Sequence, residues 1–293
     1  MFRRSILIRF LVLSIAILLT VGGCSRVGIA YNTANPLVKG YAKEYLGLDS
    51  DQLARWEPTL VAELERHRVD ELPHLAAFFD QFSTASRAGF DRRNTACLVD
   101  GLEDLYRRQA RVAVALASPL LVDLTPSQRE RLAERFRDEA EKDRAELAER
   151  DVAHDLDRRA RRYIKAIEDW TGTLSPEQQA IVADVTVRMP DVQSRFVDYR
   201  SQKRTQLIAL IDSGASRTRI ERFLTDWLVE FRDLPPDIGQ ARDQLGERIG
   251  ELLVRLGASL EATQRDRLDK RLKALRDDFM RLQKQPRMVP LSC

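Results

Sequence analysis

From Ser50 to about residue 284 the apolar positions recur every three to four residues. No stretch alternates with period two, and no Asn-Gly or Asp-Gly hairpin signal occurs. The pattern predicts helix after helix, punctuated by proline at Pro58, Pro73, Pro119, Pro126, Pro176, Pro190 and the pair Pro235-Pro236. Between these marks helices are expected near 50–70, 72–88, 94–118, 126–170, 176–189, 191–212, 216–233, 237–258 and 262–284. A shorter helix opens at Pro36 and runs through Leu46, and the tail at 286–293 should be extended. The expected fold is all-α, an elongated helical bundle with one long, highly charged helix.

One helix-opening device recurs. Leu124-Thr125-Pro126-Ser127-Gln128 is echoed by Leu174-Ser175-Pro176-Glu177-Gln178, with looser copies at Leu48-Asp49-Ser50-Asp51-Gln52 and Leu260-Glu261-Ala262-Thr263-Gln264. In the two strong copies the hydroxyl residue caps the helix and proline takes the first helical position, where its missing N–H costs nothing. Glutamine reaches back to the cap from the third position. The repetition suggests a duplicated helical-hairpin plan, although the glutamines are unevenly spaced by 76, 50 and 86 residues.

The helix begun at Pro126 is dominated by charge: 22 of the 34 residues from Arg129 to Arg162 are charged, eleven of each sign. Asp138 with Lys142, Glu146 with Arg150 and Asp157 with Arg161 stand at helical spacing and are expected to pair. The apolar seam is thin (Leu132, Phe136, Ala140, Leu147, Leu156, Ala160, Ile164, Ile167), so the helix should project or form one arm of a hairpin, about 65 Å long if unbroken. Near the C-terminus Gly239, Gly246, Gly250 and Gly257 share one helix face, which predicts a close neighbour there.

The start of the chain departs from this pattern. Arg3 and Arg4 precede an apolar run from Ile6 to Leu19, interrupted only by Arg9 and Ser14, and then come Val21-Gly22-Gly23-Cys24. A basic start and a short apolar run are the marks of a secretory signal, too short for a comfortable span. The Gly-Gly-Cys ending resembles the lipobox of bacterial lipoproteins. The resemblance implies that the Cys24 thiol receives a diacylglycerol, that residues 1–23 are removed, and that the new amino terminus is acylated. It also implies, from Ser25 in place of aspartate, an anchor in the outer membrane facing the periplasm. The organisation expected is therefore a signal peptide at 1–23, a lipid-anchored segment at 24–47, a helical domain at 48–285 with a subdivision near 172–190, and the tail. Because no Ser/Gly-rich tether follows Cys24, the body should sit close to the bilayer. Tyr31, Tyr41 and Tyr45 either pack on it or lie at the headgroups.

Charge and cysteine usage follow from that cleavage. The chain holds 48 basic and 45 acidic residues, and the signal removes three arginines and no acid, so the mature chain is neutral. A global case for nucleic-acid binding disappears with the signal. Cys97 and Cys293 remain as candidates for one disulfide, which in the chain-entropy account stabilises by about 4–5 kcal/mol; the alternative is two unrelated thiols.

Candidate chemistry is sparse. His67, Asp70, Glu71 and His74 fall at i, i+3, i+4 and i+7, a conceivable metal half-site, and Asp151-x-x-His154 has the spacing of a second half. Against this, Pro73 disturbs the turn that must align the first set, and His154 stands in the most charged part of the chain. No Ser/His/Asp set, phosphate loop, HExxH or CxxC occurs. The expectation is a protein that is not an enzyme, with no catalytic residues, no cofactor beyond the covalent lipid and no small-molecule substrate.

The order of short motifs resembles a family of uncharacterised Gram-negative lipoproteins carrying a domain of unknown function. Those motifs are Cys24 with Ala30-Tyr31-Asn32, Leu48-Asp49, His67-Arg68 with Glu71-Leu72-Pro73, Leu124-x-x-x-Gln128, Asp169-Trp170 and Leu174-x-x-x-Gln178. The resemblance implies placement in the envelope and no activity. The Leu-Thr-Pro-Ser-Gln device separately resembles the LTxxQ motif of small periplasmic helical chaperones. The function expected is an interaction or scaffold module anchored in the bilayer through Cys24 and meeting an envelope protein partner. The alternatives are a periplasmic holdase or stress adaptor, and a metal-binding helical protein using His67, Glu71 and His74.

Overall fold

The structure is a computed structural model that describes residues 26–291. Residues 1–25, with Cys24, and residues 292–293, with Cys293, lie outside the described residues. The described residues contain twelve α-helices and no strand. They are α1 (Arg26–Asn32), α2 (Ala34–Leu46), α3 (Ser50–Asp70), α4 (Leu72–Ala88), α5 (Arg92–Val122) and α6 (Pro126–Ala148). After these come α7 (Val152–Thr171), α8 (Pro176–Val187), α9 (Gln193–Asp212), α10 (Arg217–Leu228), α11 (Pro236–Ser259) and α12 (Ala262–Leu282).

The four helix-opening devices pair off into two buried clasps. Gln52 and Gln128 face each other, with Gln52 Nε2 donating to Gln128 Oε1 at 2.9 Å and Gln128 Nε2 donating to Gln52 Oε1 at 2.7 Å. The second N–H of each amide goes to a carbonyl of the other strand of chain, Gln52 to Asp123 O and Gln128 to Gly47 O, both at 2.7 Å. Each Oε1 also accepts from the backbone N–H of its own cap, Asp49 or Thr125. Gln178 and Gln264 repeat the arrangement at 2.8 and 3.0 Å, with Nε2 donating to Ser259 O and Thr173 O and Oε1 accepting from Ser175 N and Glu261 N. A primary amide offers two donors and two lone pairs, and here all four are used. In every copy the carbonyl reached lies two residues before the partner's cap, so each clasp has a local two-fold.

The leucine that precedes each cap is buried and drives its clasp into a core. Leu48 and Leu124 belong to one cluster with Trp56, Leu60, Val114, Leu132, Leu207, Ile220 and Trp227. Leu174 and Leu260 belong to another with Val182, Val185, Leu252, Leu256 and Leu272. The turn at Gly47 needs glycine, with φ at +67°, to bring its carbonyl round to Gln128. α5 runs between the clusters, about 46 Å long, with Ala110 and Val114 in the first core and Leu98 and Leu105 against Phe78 and Ala85 of α4.

The expected single helix over 126–170 is broken, and the corrected architecture has no long projecting arm. α6 ends at Ala148, and Asp151 caps α7 by accepting from His154 N at 3.1 Å. The break lies where the thin seam changes partners: Leu132 and Phe136 pack in the first core, whereas Tyr163, Ile164 and Ile167 pack against the second. Arg150 pairs with Asp155 and Asp191, not with Glu146, and Lys142 reaches Glu146 and not Asp138. Only the pairing of Asp157 with Arg161 is as expected. α6 docks on α9 through buried charge: Arg204, 1% exposed, donates to Glu139 at 2.7 Å and lies over Phe136, and Arg200 pairs with Asp143.

Two other expectations are met by neighbours that the sequence did not name. The glycine face of α11 lies on the start of α5, where a Cβ on Gly246 would stand 3.1 Å from Val99 and one on Gly257 only 2.3 Å from the Phe90 ring. Pro119 lies inside α5, which continues to Val122. At Pro73 the missing N–H leaves Val69 O without its helical donor, and Arg287 of the tail supplies one at 3.2 Å while Val289 N donates to Pro73 O. The described part of the tail is thus docked on the joint between α3 and α4.

Gln128→Glu keeps the side-chain shape but removes both donors and buries a carboxylate against Gly47 O and Gln52 Oε1, the two acceptors they served. It should cost about 2–4 kcal/mol, read as a shift of the urea midpoint. Replacing Gln52 and Gln128 together with leucine should cost less than the two single changes summed. Strict additivity would mean that the amides do not pair.

Candidate functional site

The residues with the strongest claim to chemistry meet at the joint between α3 and α4. Pro73 at the second position of α4 breaks the helix at Glu71, and this leaves His67 facing inward in the last turn of α3. His67 Nδ1 lies 2.7 Å from the Tyr31 hydroxyl of α1, and Nε2 lies 2.8 Å from Gln109 Oε1 of α5. With the amide oxygen facing it, Nε2 carries the proton and donates, and Nδ1 accepts from Tyr31. The Tyr31 hydroxyl also reaches Leu64 O at 3.3 Å, and its ring carries the Arg68 guanidinium at 4.6 Å. Burial, with the Arg68 charge adding to it, pushes the His67 pKa below its ordinary value against the opposing bond from Gln109. Burial likewise holds the Tyr31 hydroxyl well above the usual phenol range.

The joint does not assemble the metal half-site. Both ring nitrogens of His67 are taken by neutral partners. Glu71 pairs with Arg108 at 3.7 Å, and burial raises its carboxyl above the usual range. His74 lies beyond the break in the first turn of α4, and Asp151 and His154 form a helix cap. Among the described residues no group of three or more His, Cys, Asp or Glu side chains is placed to hold a metal ion. What the arrangement does is bolt α1 to the body, together with Val27, which packs on Leu72, Ala76, Leu275 and Phe279.

Tyr45 and Tyr41 also face the body. Their rings stack at 5.4 Å, and Arg135 of α6 lies 4.6 Å over Tyr45, whose hydroxyl burial pushes up to about 12. Of the candidate cysteines, Cys24 and Cys293 lie outside the described residues, whereas Cys97 is buried in α5 and disulfide-bonded. The described tail ends at Leu291, whose side chain lies against Gly101, one turn along α5 from Cys97. An open groove of about 580 Å³ separates α2 from α3, lined by Asn35, Pro36, Lys39, Gly40, Lys43, Leu53 and Glu57. The Lys39–Glu57 pair, 2.8 Å apart, lies along it. The lining of the groove contains no Ser, Thr, Cys or His.

Sequence reasoning missed the Tyr31–His67–Gln109 chain and the crossings of Arg200 and Arg204 to α6. The second had a faint signal: Glu139 and Asp143 are four apart, as are Arg200 and Arg204, the register of two antiparallel helices. No helix among the described residues is long and apolar enough to cross a membrane.

The model of a family of unknown function, DUF6279, matches residues 44–234. The match takes in the whole of the first clasp and Gln178 of the second, and it ends before Gln264. No curated protein and no solved structure matches the chain.

Because the folded state binds a proton on His67 less readily than the unfolded chain does, His67 contributes stability that is present above about pH 6.5 and declines below it, by at most ~1.4 kcal/mol per pH unit. His74, lowered first by burial and then by Arg108, acts in the same direction, and the raised Glu71 acts oppositely. Urea midpoints followed from about pH 7.5 to 5.5 should therefore fall less steeply in His67→Gln than in wild type. Parallel profiles would show that His67 is not held neutral.

Proposed function

The chain belongs to the DUF6279 family of unknown function, and from that premise we propose that it is a lipid-anchored envelope protein that works by contact and not by catalysis. The observation that carries the proposal is the absence of slack behind the anchor. α1 begins at Arg26, two residues after Cys24, and its inner face is fixed to the body by Val27 and by the bond of Tyr31 to His67. Acyl chains on Cys24 would therefore hold the folded body against the bilayer, where a flexible tether would let it roam. The lipobox-like Gly22-Gly23-Cys24 supports the covalent lipid, and Ser25 supports the outer membrane with the body in the periplasm.

The surface available to an envelope partner is highly charged. Nine of the thirteen exposed residues of α6 are charged, from Glu130 and Arg131 to Arg144 and Glu146. Such a face favours a partner of complementary charge pattern, whose binding weakens with salt. The holdase alternative has less support, because the exposed large apolar side chains are spread over six helices and the tail. The pairing of Cys97 with Cys293 is part of the proposal, supported by the docking of Leu291 on Gly101.

Cell fractionation with intact-mass measurement tests the anchor. Wild-type protein should lack residues 1–23, carry the added mass of acyl chains and sediment with membranes, and Cys24→Ser should lose the added mass and the sedimentation. Wild-type protein that keeps residues 1–23, or that is free in the aqueous fraction without lipid, would overturn the reading. Photo-crosslinkers at Glu130, Arg137 and Glu141 should capture one envelope protein, in an amount that falls as salt is raised; a salt-independent smear of clients would favour the holdase.

A further inference from the structure

The exposed face of α1 and α2 carries no charge over residues 27–42. α1 and α2 are nearly continuous, because Thr33 N donates to Ile29 O at 2.9 Å and Leu37 N to Thr33 O at 3.2 Å. The exposed residues from 27 to 42 are Ile29, Asn32, Thr33, Pro36, Leu37 and Gly40, and none is charged. They recur at 29, 32–33, 36–37 and 40, the helical period, and so form one stripe. Ile29 and Leu37 are the most prominent members, 59% and 63% exposed. The opposite side of the same helices is committed to the body through Val27, Tyr31, Ala42 and Tyr45. Lys39, the charged residue within the stretch, is turned aside to Glu57. Past Gly40 the face returns to charge at Lys43 and Glu44.

We propose that this stripe lies in the headgroup layer of the membrane, with Ile29 and Leu37 inserted among the uppermost acyl carbons. The proposal rests on the lipid anchor at Cys24, and distance then fixes the occupant. Ile29 is five residues from Cys24, so at full extension it stands at most ~18 Å away, and the helical turn from Arg26 shortens that reach. An anchored body fixed this closely keeps Ile29 within that distance of the lipid surface. An uncharged stripe there avoids the desolvation that charged side chains suffer in the interface. Gly40 adds to the fit, since a Cβ at that position would meet nothing within 4 Å and its absence lets the backbone approach the surface closely. The stripe thus makes a second, non-covalent membrane contact and sets the orientation of the body.

The test places an environment-sensitive fluorescent amino acid at position 37, and separately at position 141 of α6, in the full-length protein. Each protein is reconstituted into vesicles of phosphatidylethanolamine and phosphatidylglycerol containing spin-labelled phospholipids, and intact mass reads acylation of Cys24 independently. The label at 37 should shift to the blue and be quenched at a depth of about 5–10 Å, while the label at 141 should behave as in water. If the mass shows no acyl chains, the anchor reading fails by itself. The mature chain held to nickel-chelating lipid by an N-terminal histidine tag then answers the same question about the stripe. A label at 37 that stays unquenched on acylated or tethered protein overturns the proposal. Energy transfer between labels at 37 on two copies, without quenching, also overturns it and gives the stripe to a second copy of the chain.

Discussion

A primary amide in a helical core is tolerable only when all four of its hydrogen-bonding positions are filled, and the fold depends on two places where this is achieved by pairing glutamine with glutamine. Each amide closes its own helix N-terminus and the chain leading into its partner's, so the two turns of a clasp are held by one network of saturated bonds. Losing one partner strands the other's donors and acceptors inside the protein, where an unmet polar group costs far more than a met one gains. The leucine before each cap adds apolar burial at the same point, so packing and hydrogen bonding select the same geometry. Local helix propensity, capping and core formation agree at all four sites, which is what a sequence needs to specify one structure.

Charge plays an unequal part in the rest of the molecule. Along the outer faces of α6 and α7 the ion pairs are exposed and each is worth little. Between α6 and α9 they are internal: Arg204 is nearly inaccessible, with Phe136 under its guanidinium plane and Glu139 at its tip. Buried pairs of this kind add little net stability but penalise any register that separates them. Between α8 and α11, Arg188, Arg248 and Arg255 converge on Glu251, and the bond from Arg188 leads in holding its carboxyl down to about 2. These links hold in register helices whose apolar seams are too thin to do so alone.

Much of this was legible in the sequence because its signals are local. α3 and α4 occupy the expected ranges since Asp49 and Gln52 make the cap of one and Pro73 marks the start of the other. The break between α6 and α7 was not legible, because Glu149-Arg150-Asp151 contains neither glycine nor proline and the chain turns there only to bring its seam to a different core. α5 overran the expected stop at Pro119 for a related reason: Leu120 and Leu121 are buried, and their packing outweighs a lost hydrogen bond. Of the clasps, the glutamines were readable and their mates were not. The site followed the same rule. The spacing of His67, Glu71 and His74 is a local pattern, but what His67 does is decided by Tyr31 and Gln109, 36 and 42 residues away, and no local periodicity reports them.

The central claim is that four glutamine side chains are sealed inside the protein as two mutually bonded pairs. Hydrogen exchange of the side-chain amide groups, followed by nitrogen-15 NMR, reads this directly. The account predicts four glutamine NH₂ groups, at 52, 128, 178 and 264, that exchange far more slowly than those of exposed glutamines. Four side chains exchanging at the rate of exposed glutamine would contradict it.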